Sequence, residues 1–414
     1  MNEEKTKSFA VSKQMVYESY LKVCSKDGAA GIDKETIDTF NEDLSNNLYK
    51  VWNRMASGSY FPPAVRTVLI PKKQGGMRPL GIPTVGDRIA QGVVKDYLEP
   101  ILEPLFHGSS FGYRPGRSAH HALEQCQHHC IQYGWVIDVD IKGFFDNISH
   151  EWMMKMISHH TQEKWVLLYT ERWLKAGIER ADGSIAVRTK GTPQGGVISP
   201  LLANLYLHHA FDMWMSRHFS DNPFERYADD IVVHCSNKAE AESLLMSICE
   251  RLQVFGLDLH PEKTKLVYCK NYQRKEEHEH NSFTFLSYSF QPRARANKFG
   301  RHTKFMVFSP AICCKAKAFI REKIRAVFNP RDTTVSLEKT AAKMNPKLRG
   351  WLNYYSRYNK RIAATVFEYL NTLIRRWIEE KYRLRNKRKV LEAYQIQLQQ
   401  DRKLFYHWQK GIVY

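Results

Sequence analysis

Two clusters of aspartate could carry metal-assisted chemistry. Tyr227-Ala228-Asp229-Asp230 lies between polar Glu225-Arg226 and apolar Ile231-Val232-Val233. The pattern predicts two short strands joined by a turn at Ala228-Asp229, with both carboxylates at its tip. Neighbouring carboxylates held away from water cannot both stay ionised unless a cation compensates them. A hard divalent ion meets that need, Mg²⁺ first and Mn²⁺ as the alternative. Taken alone, the tetrapeptide is equally an ordinary polar turn, because Asp is common in turns. In Val136-Ile-Asp-Val-Asp-Ile141 the two-residue period of a strand puts Asp138 and Asp140 on one face, about 7 Å apart. An Asp inside so apolar a run is costly without a ligand. One of these two plus Asp229 and Asp230 makes three carboxylates, enough for two cations about 3.5–4 Å apart. Such a site activates a 3′-hydroxyl and stabilises the departing pyrophosphate in phosphoryl transfer.

Other residues offer less on their own. Lys72 and Arg78 flank Gln74-Gly75-Gly76, read as a hairpin tip that lets two cations converge on a triphosphate. On their own, these two residues read first as solvated charges on an exposed hairpin. Cys126-Gln-His-His-Cys130 has soft donors, but no second Cys/His pair at zinc-finger spacing follows it. It reads as a stretch of helix. His278-Glu-His280 reads as a solvated loop, and Cys313-Cys314 as packing.

The elements that must position these groups follow from periodicity and punctuation. The first ~60 residues read as helical, and Ala64 to Ile70 as a strand ended by Pro71. Asp87 to Leu105 turns helical. Ser199-Pro200 reads as a helix start with Ser at the N-cap and Pro at the first helical position. Residues 272–281 read as a polar loop, and Phe283 to Phe290 as a strand. Strands and helices mixed without a regular βαβ rhythm give an α+β class for the first 290 residues.

The chain has 414 residues, a length that suggests two to three domains. Its formal charge is +19, with 43% hydrophobic residues. No apolar stretch approaches the ~20 residues of a membrane span, and the N-terminus lacks the order of a signal peptide. Eight scattered cysteines fit a reducing cytoplasm. The charge is unevenly placed. From Gln291 onward there are 29 Lys/Arg against 8 Asp/Glu, and before it 33 against 35. A near-neutral body joined to a basic third reads as an enzyme module plus a nucleic-acid-gripping module. In that third, Val366, Leu370, Leu373 and Trp377 form a helical stripe with Arg375, Arg376 and Lys381 largely outside it. Lys381-Tyr-Arg-Leu-Arg-Asn-Lys-Arg-Lys389 then places Lys381, Arg383, Arg385, Lys387, Arg388 and Lys389 within nine residues. Such a cluster is too repulsive to bury, which points it at phosphates.

Six blocks in order resemble those of reverse transcriptases encoded by group II introns. They are Val65 to Pro83, Ser110-Phe-Gly-Tyr-Arg-Pro-Gly-Arg117, Asp140-Ile-Lys-Gly-Phe-Phe-Asp146, Gly191-Thr-Pro-Gln-Gly-Gly196 with Ser199-Pro-Leu-Leu-Ala-Asn204, Tyr227-Ala-Asp-Asp230, and Leu259-His-Pro-Glu-Lys-Thr264. Leu348-Arg-Gly-Trp-Leu-Asn-Tyr-Tyr355, Arg376-Trp-Ile-Glu-Glu-Lys-Tyr382 and Leu404-Phe-Tyr-His-Trp408 are similar to the family's thumb/maturase region and its end. The resemblance implies a right-hand polymerase: an N-terminal extension and start of the fingers at 1–60, fingers and palm at 61–300, a helical thumb/maturase domain at 301–390 and a short segment at 391–414. It implies RNA-directed DNA synthesis, with an RNA template, a DNA primer, dNTPs, intron RNA and target DNA as partners. The setting would be a bacterial cytoplasm, with nucleoid association and no membrane.

Among the aspartates it selects Asp140, five residues before Phe145. Asp140, Asp229 and Asp230 would bind the metals, with the Ile141 carbonyl as a further oxygen. Phe145 would exclude a 2′-hydroxyl. Lys72, Arg78 and Gln194 would contact the nucleotide, and Lys263 would assist pyrophosphate departure as an acid. Ser287 stands where the family has a glycine, which matters if that backbone requires a positive φ. No HNH endonuclease motif occurs in these 414 residues, so the resemblance does not extend to DNA nicking. Two other readings are a splicing maturase with a vestigial polymerase, and a reverse transcriptase recruited to phage defence or DNA repair.

Overall fold

The computed structural model describes residues 8–71, 77–180, 182–296 and 304–413. The chain divides into two compact units that part between Leu266 and Val267.

The first unit opens with α1 (Lys13–Cys24), α2 (Ile37–Glu42) and α3 (Leu44–Ala56). Side chains of Ser12 and Thr36 cap α1 and α2 by accepting from backbone N–H groups three residues on. Next come the antiparallel β1 (Val65–Pro71) and β2 (Met77–Ile82). Then follow α4 (Val85–Leu102), α5 (Ala119–Gln132), β3 (Trp135–Asp140), α6 (Phe144–Asn147), α7 (His150–His160) and α8 (Lys164–Lys175). Two short strands, β4 (Ile178–Glu179) and β5 (Ile185–Ala186), join β1 and β2 in the order β2-β1-β4-β5. After them run α9 (Ser199–Leu207), a π-helical turn over His208–Asp212 and α10 (Met213–His218). A hairpin of β6 (Phe224–Tyr227) and β7 (Asp230–Cys235), then α11 (Lys238–Val254), complete the unit. The chain passes into the second unit along β8 (Lys265–Tyr268), the edge of a sheet ordered β6-β7-β3-β8.

That second sheet is where the aspartates sit. Ile231, Val232, Val233 and Cys235 are all fully buried, as are Val136 and Ile137 of β3. A run apolar on both faces is what a strand covered on both sides needs, and both α5 and α11 pack against β7. Glu225 and Arg226, which the sequence presents as a polar flank, are buried too. The helix start at Ser199 also differs from expectation by one residue. Ile198 is the N-cap and Ser199 the first helical residue. The Ser199 hydroxyl lies 3.0 Å from Thr192 Oγ1 instead of capping the helix.

In the second unit, β9 (Phe283–Phe285), β10 (Tyr288–Ala296) and β11 (Lys304–Ile312) form an antiparallel sheet. The single strand expected over Phe283 to Phe290 is thus two strands joined by Leu286-Ser287. Both turn residues are left-handed, with φ of 50° and 66°, which is the backbone a two-residue hairpin favours. Four longer helices follow: α12 (Cys314–Val327), α13 (Leu337–Tyr355), α14 (Lys360–Lys381) and α15 (Lys387–Gln400), then the short α16 (Tyr406–Gln409). α14 buries the predicted stripe of Val366, Leu370, Leu373 and Trp377 and extends it to Ile378. Asn371 on this helix accepts from Trp408 Nε1 at 2.8 Å and meets His407 Nε2 at 2.7 Å. Burial holds the His407 imidazole down at about 3 and so neutral. Among the described residues no helix is long and apolar enough to cross a membrane.

Candidate active site

The register of β3 against β7 pairs Asp140 directly with Asp230, at the ends of their strands. Residues so paired carry Cβ atoms about 4.5–5.5 Å apart on one face. Asp229 stands in the two-residue turn between Tyr227 and Asp230, which pair with each other across the hairpin. The structure therefore brings the three predicted carboxylates to one end of one sheet.

What holds that turn was not visible in the sequence. Ala228 is left-handed, with φ of 58°, a conformation that costs an L-residue about 1–2 kcal/mol. Its carbonyl accepts from Arg226 Nη1 at 3.1 Å. The Arg226 guanidinium is wholly buried and forks onto Asp212, with Nε–Oδ1 2.7 Å and Nη2–Oδ2 2.5 Å. Asn204 Oδ1 accepts from it at 3.1 Å, and the Asn204 amide donates to Gly112 O at 2.7 Å. Gly112 lies so close under the turn that a Cβ there would stand 2.5 Å from Ala228 N. The Ser110 and Asn204 blocks thus serve as scaffolding for the aspartate turn. Asp212 reaches Arg226 from the π-helical turn after α9.

The Leu259 to Thr264 block performs the same service for Asp140. Ile141 bridges Leu259, with flanking bonds from His260 N to Asp140 O and from Lys142 N to Asp258 O, both 2.8 Å. The Ile141 carbonyl lies outside that bonded pair. Thr264 Oγ1 accepts from Asp140 N at 3.3 Å. Lys263 Nζ stands 3.5 Å from Asp140 Oδ1, with both side chains about half exposed, at 52% and 41%. Asp138, two residues inward and opposite Val232, is pushed up to about 7 by burial first and by the Asp140 charge second, with Lys265 pulling the other way. Asp140, Asp229 and Asp230 offer an all-oxygen donor set, which suits a hard divalent cation.

Phe144 and Phe145 are both buried but face different surroundings. Phe144 packs at 6.4 Å from the Tyr206 ring. Phe145 lines a cavity of about 560 Å³ together with Tyr113, Leu80, Gln194 and Gly195, a volume suited to a small-molecule ligand. The carboxylates do not line it; Phe145 is the link, five residues after Asp140. Gln194 is placed by its carbonyl, which accepts from Gly81 N at 2.7 Å, and by Thr192 N, which donates to Phe145 O at 2.8 Å. Gly191, with φ of 83°, permits that approach, because a Cβ would stand 2.8 Å from the carbonyls of Phe145 and Asp146. Lys72 and the glycine tip lie outside the described residues. Arg78 sits on β2 opposite Ile70.

In the second unit, Lys381, Arg383, Arg385, Lys387, Arg388 and Lys389 are all exposed, in the passage from α14 into α15. Arg376 is exposed as well, whereas Arg375 is half-buried with its guanidinium 5.8 Å from the Tyr394 ring centre. Lys381 Nζ donates to Thr333 O at 3.1 Å, and Arg388 pairs with Glu392 at 3.1 Å.

Comparison with known proteins places these features. Residues 317–395 match the maturase-specific domain of group II introns. The chain is 39% identical over 195 residues to the group II intron-encoded protein LtrA of Lactococcus lactis subsp. cremoris, covering 46% of this chain and 32% of that protein. It is 35% identical over 197 residues to the protein YkfC of Escherichia coli, covering 46% and 50%. It is 34% identical over 205 residues to the uncharacterized 91 kDa protein in cob intron of Schizosaccharomyces pombe, covering 49% and 25%. The chain thus spans from a quarter to half the length of these relatives. Residues 70–290, more than half of the chain and the whole of the aspartate site, match the family described as reverse transcriptase (RNA-dependent DNA polymerase), and the chain belongs to that family.

Proposed function

We propose that this protein adds dNTPs to a DNA 3′-end on an RNA template, and that its basic second unit binds group II intron RNA to assist splicing and mobility. The observation that carries the polymerase reading is the direct pairing of Asp140 with Asp230 beside the Asp229 turn. When bound there, divalent cations, which we take to be Mg²⁺, would favour attack by the 3′-hydroxyl and stabilise the departing pyrophosphate. Asp140, Asp229 and Asp230 would hold them. Phe145, on the wall of the neighbouring cavity, would press against the sugar and exclude a 2′-hydroxyl, and Gln194 would contact the nucleotide. Lys263, within 3.5 Å of Asp140, would neutralise charge on the leaving group. The intact carboxylate set argues against a maturase with a vestigial polymerase.

Asp229→Asn and Asp230→Asn keep the side-chain shape and remove a metal-compensating charge. Primer extension on an RNA template should fall by orders of magnitude while RNA binding is largely kept. Extension near the original rate would refute the assignment. The intron-RNA partner is favoured by the maturase-domain match and by the names of the relatives.

A further inference from the structure

Cys126 and Cys130 are four residues apart on α5, so both thiols leave one side of the helix. That side meets β7. The two sulfurs and a ring nitrogen of His234 lie within 4.8 Å of one another, and all three residues are fully shielded from solvent. Neither cysteine is in a disulfide. His234 Nε2 is 2.7 Å from Glu225 Oε2, and Glu225 Oε1 is 2.5 Å from His129 Nδ1. In the neutral imidazole whose Nε2–H is turned to Glu225, Nδ1 is the acceptor. That Nδ1 is buried without a hydrogen-bond partner, which is unfavourable for a buried acceptor.

We propose that Cys126, Cys130 and His234 form a zinc site, with Glu225 as the carboxylate that orients the histidine. Two sulfurs and an imidazole are donors that select Zn²⁺ over the hard cations suited to the aspartates. Zinc bonds of about 2.3 Å to sulfur and 2.0–2.1 Å to nitrogen set the donors some 3.5–3.8 Å apart. The donors, within 4.8 Å of one another, stand little more than about 1 Å beyond that spacing. Binding converts two thiols to thiolates and releases two protons, and Zn²⁺ with two thiolates is neutral, which a fully buried place requires. The His234–Glu225 pair supplies the carboxylate–histidine–metal arrangement usual behind zinc ligands. By the two-residue period His234 shares a sheet face with Asp230, about 13 Å along the strand. The ion would therefore tie α5 to the very hairpin that carries the aspartate turn.

The test uses the full chain, purified with a phosphine reductant and no chelator. Elemental analysis should give one zinc per chain, and X-ray absorption at the zinc edge should show two sulfur neighbours plus nitrogen or oxygen. Replacement by Co²⁺ should produce a thiolate-to-cobalt charge-transfer band in the near ultraviolet. The double variant Cys126→Ser/Cys130→Ser should lose both metal and band, whereas Asp229→Asn/Asp230→Asn should keep them, which separates this site from the carboxylate site. Zinc or cobalt that binds with oxygen and nitrogen neighbours only, a band retained in the double serine variant, or a metal-free chain that takes up no thiolate-bound ion would each overturn the proposal. The absorption measurement on the unaltered chain decides the matter if the serine variant does not fold.

Discussion

Arg226→Met removes the guanidinium that ties the aspartate turn to the body of the sheet. Its four hydrogen bonds end on Asp212, Asn204 and the Ala228 carbonyl, and both charged groups are fully buried. Deleting one member of a buried pair leaves the other uncompensated, at a cost of about 3–5 kcal/mol, a large part of a domain's usual 5–15 kcal/mol. The single variant should therefore unfold at markedly lower denaturant. Replacing both charges by apolar groups, as in Arg226→Met/Asp212→Leu, removes the unpaired carboxylate and should recover most of that loss. Catalysis should not recover with it. Ala228 would keep a left-handed strain of about 1–2 kcal/mol and lose the bond of about 1 kcal/mol that opposes it. At 1.36 kcal/mol per decade, losing that bond of about 1 kcal/mol should lower extension by the double variant roughly fivefold at near-native stability. Adding Ala228→Gly, which carries no such strain, should restore part of the rate. Equilibrium unfolding and single-turnover extension on one preparation read both quantities. A double variant that is stable and extends at the original rate would show that the guanidinium serves the fold alone.

Phe145→Val should raise rNTP incorporation relative to dNTP, while Phe144→Ala should mainly destabilise; the reverse pattern in a competition assay would place the sugar gate one residue earlier. Replacing Arg383, Arg385, Arg388 and Lys389 with Gln should weaken RNA binding and flatten its salt dependence, since each phosphate contact adds a logarithmic slope of roughly −0.7 to −0.9 on simple nucleic acids. Extension of a saturating, preformed primer-template should survive, and an unchanged slope with lost extension would sink the phosphate role. Ser287 is left-handed and its side chain bonds Tyr355, so Ser287→Gly exchanges about 1–2 kcal/mol of relief for a bond of about 1 kcal/mol. Ser287→Ala loses the bond and keeps the strain. Gly should thus be more stable than Ala by about 1–2 kcal/mol in thermal unfolding, and equal stabilities would refute the strained turn.

What the sequence revealed depended on the distance over which its signals act. Two-residue alternation placed Asp138 and Asp140 on β3, and the polar break at Ala228-Asp229 placed the hairpin, because both are local patterns. The amphipathic stripe of α14 was visible for the same reason. Hidden were groups whose partners lie far along the chain. Arg226 meets Asn204 across 22 residues and Asp212 across 14, so a residue flanking a turn proved to be its buried clamp. Cys126 and Cys130 lacked a visible second pair because their partner, His234, comes from another element. Strand β4 has two residues and pairs in parallel with β1, which leaves no periodicity to read. Phe283 to Phe290 carries uninterrupted strand propensity, and its turn is made by Leu286-Ser287 without the glycine or asparagine that marks such turns. The family position of Ser287 was the one warning of it.

The π-helical turn at His208–Asp212 has a consequence for insertions and deletions. A π turn is a helix holding one residue more than the α pattern needs. Removing a single residue here would mend the hydrogen-bond ladder and join α9 to α10 as one regular rod. The five residues of the π turn sweep nearly the same angle as one fewer in an α-helix, so Asp212 would keep its direction relative to α9, toward Arg226. Elsewhere a helix suffers from losing a residue because its ladder slips, and a surface loop tolerates the loss. In this segment the turn can absorb the loss of one residue, whereas a second loss, with no spare residue left, would swing the carboxylate by about 100° away from Arg226. The irregularity is therefore a length allowance of a single residue between Asn204 and Asp212, two partners of the Arg226 guanidinium.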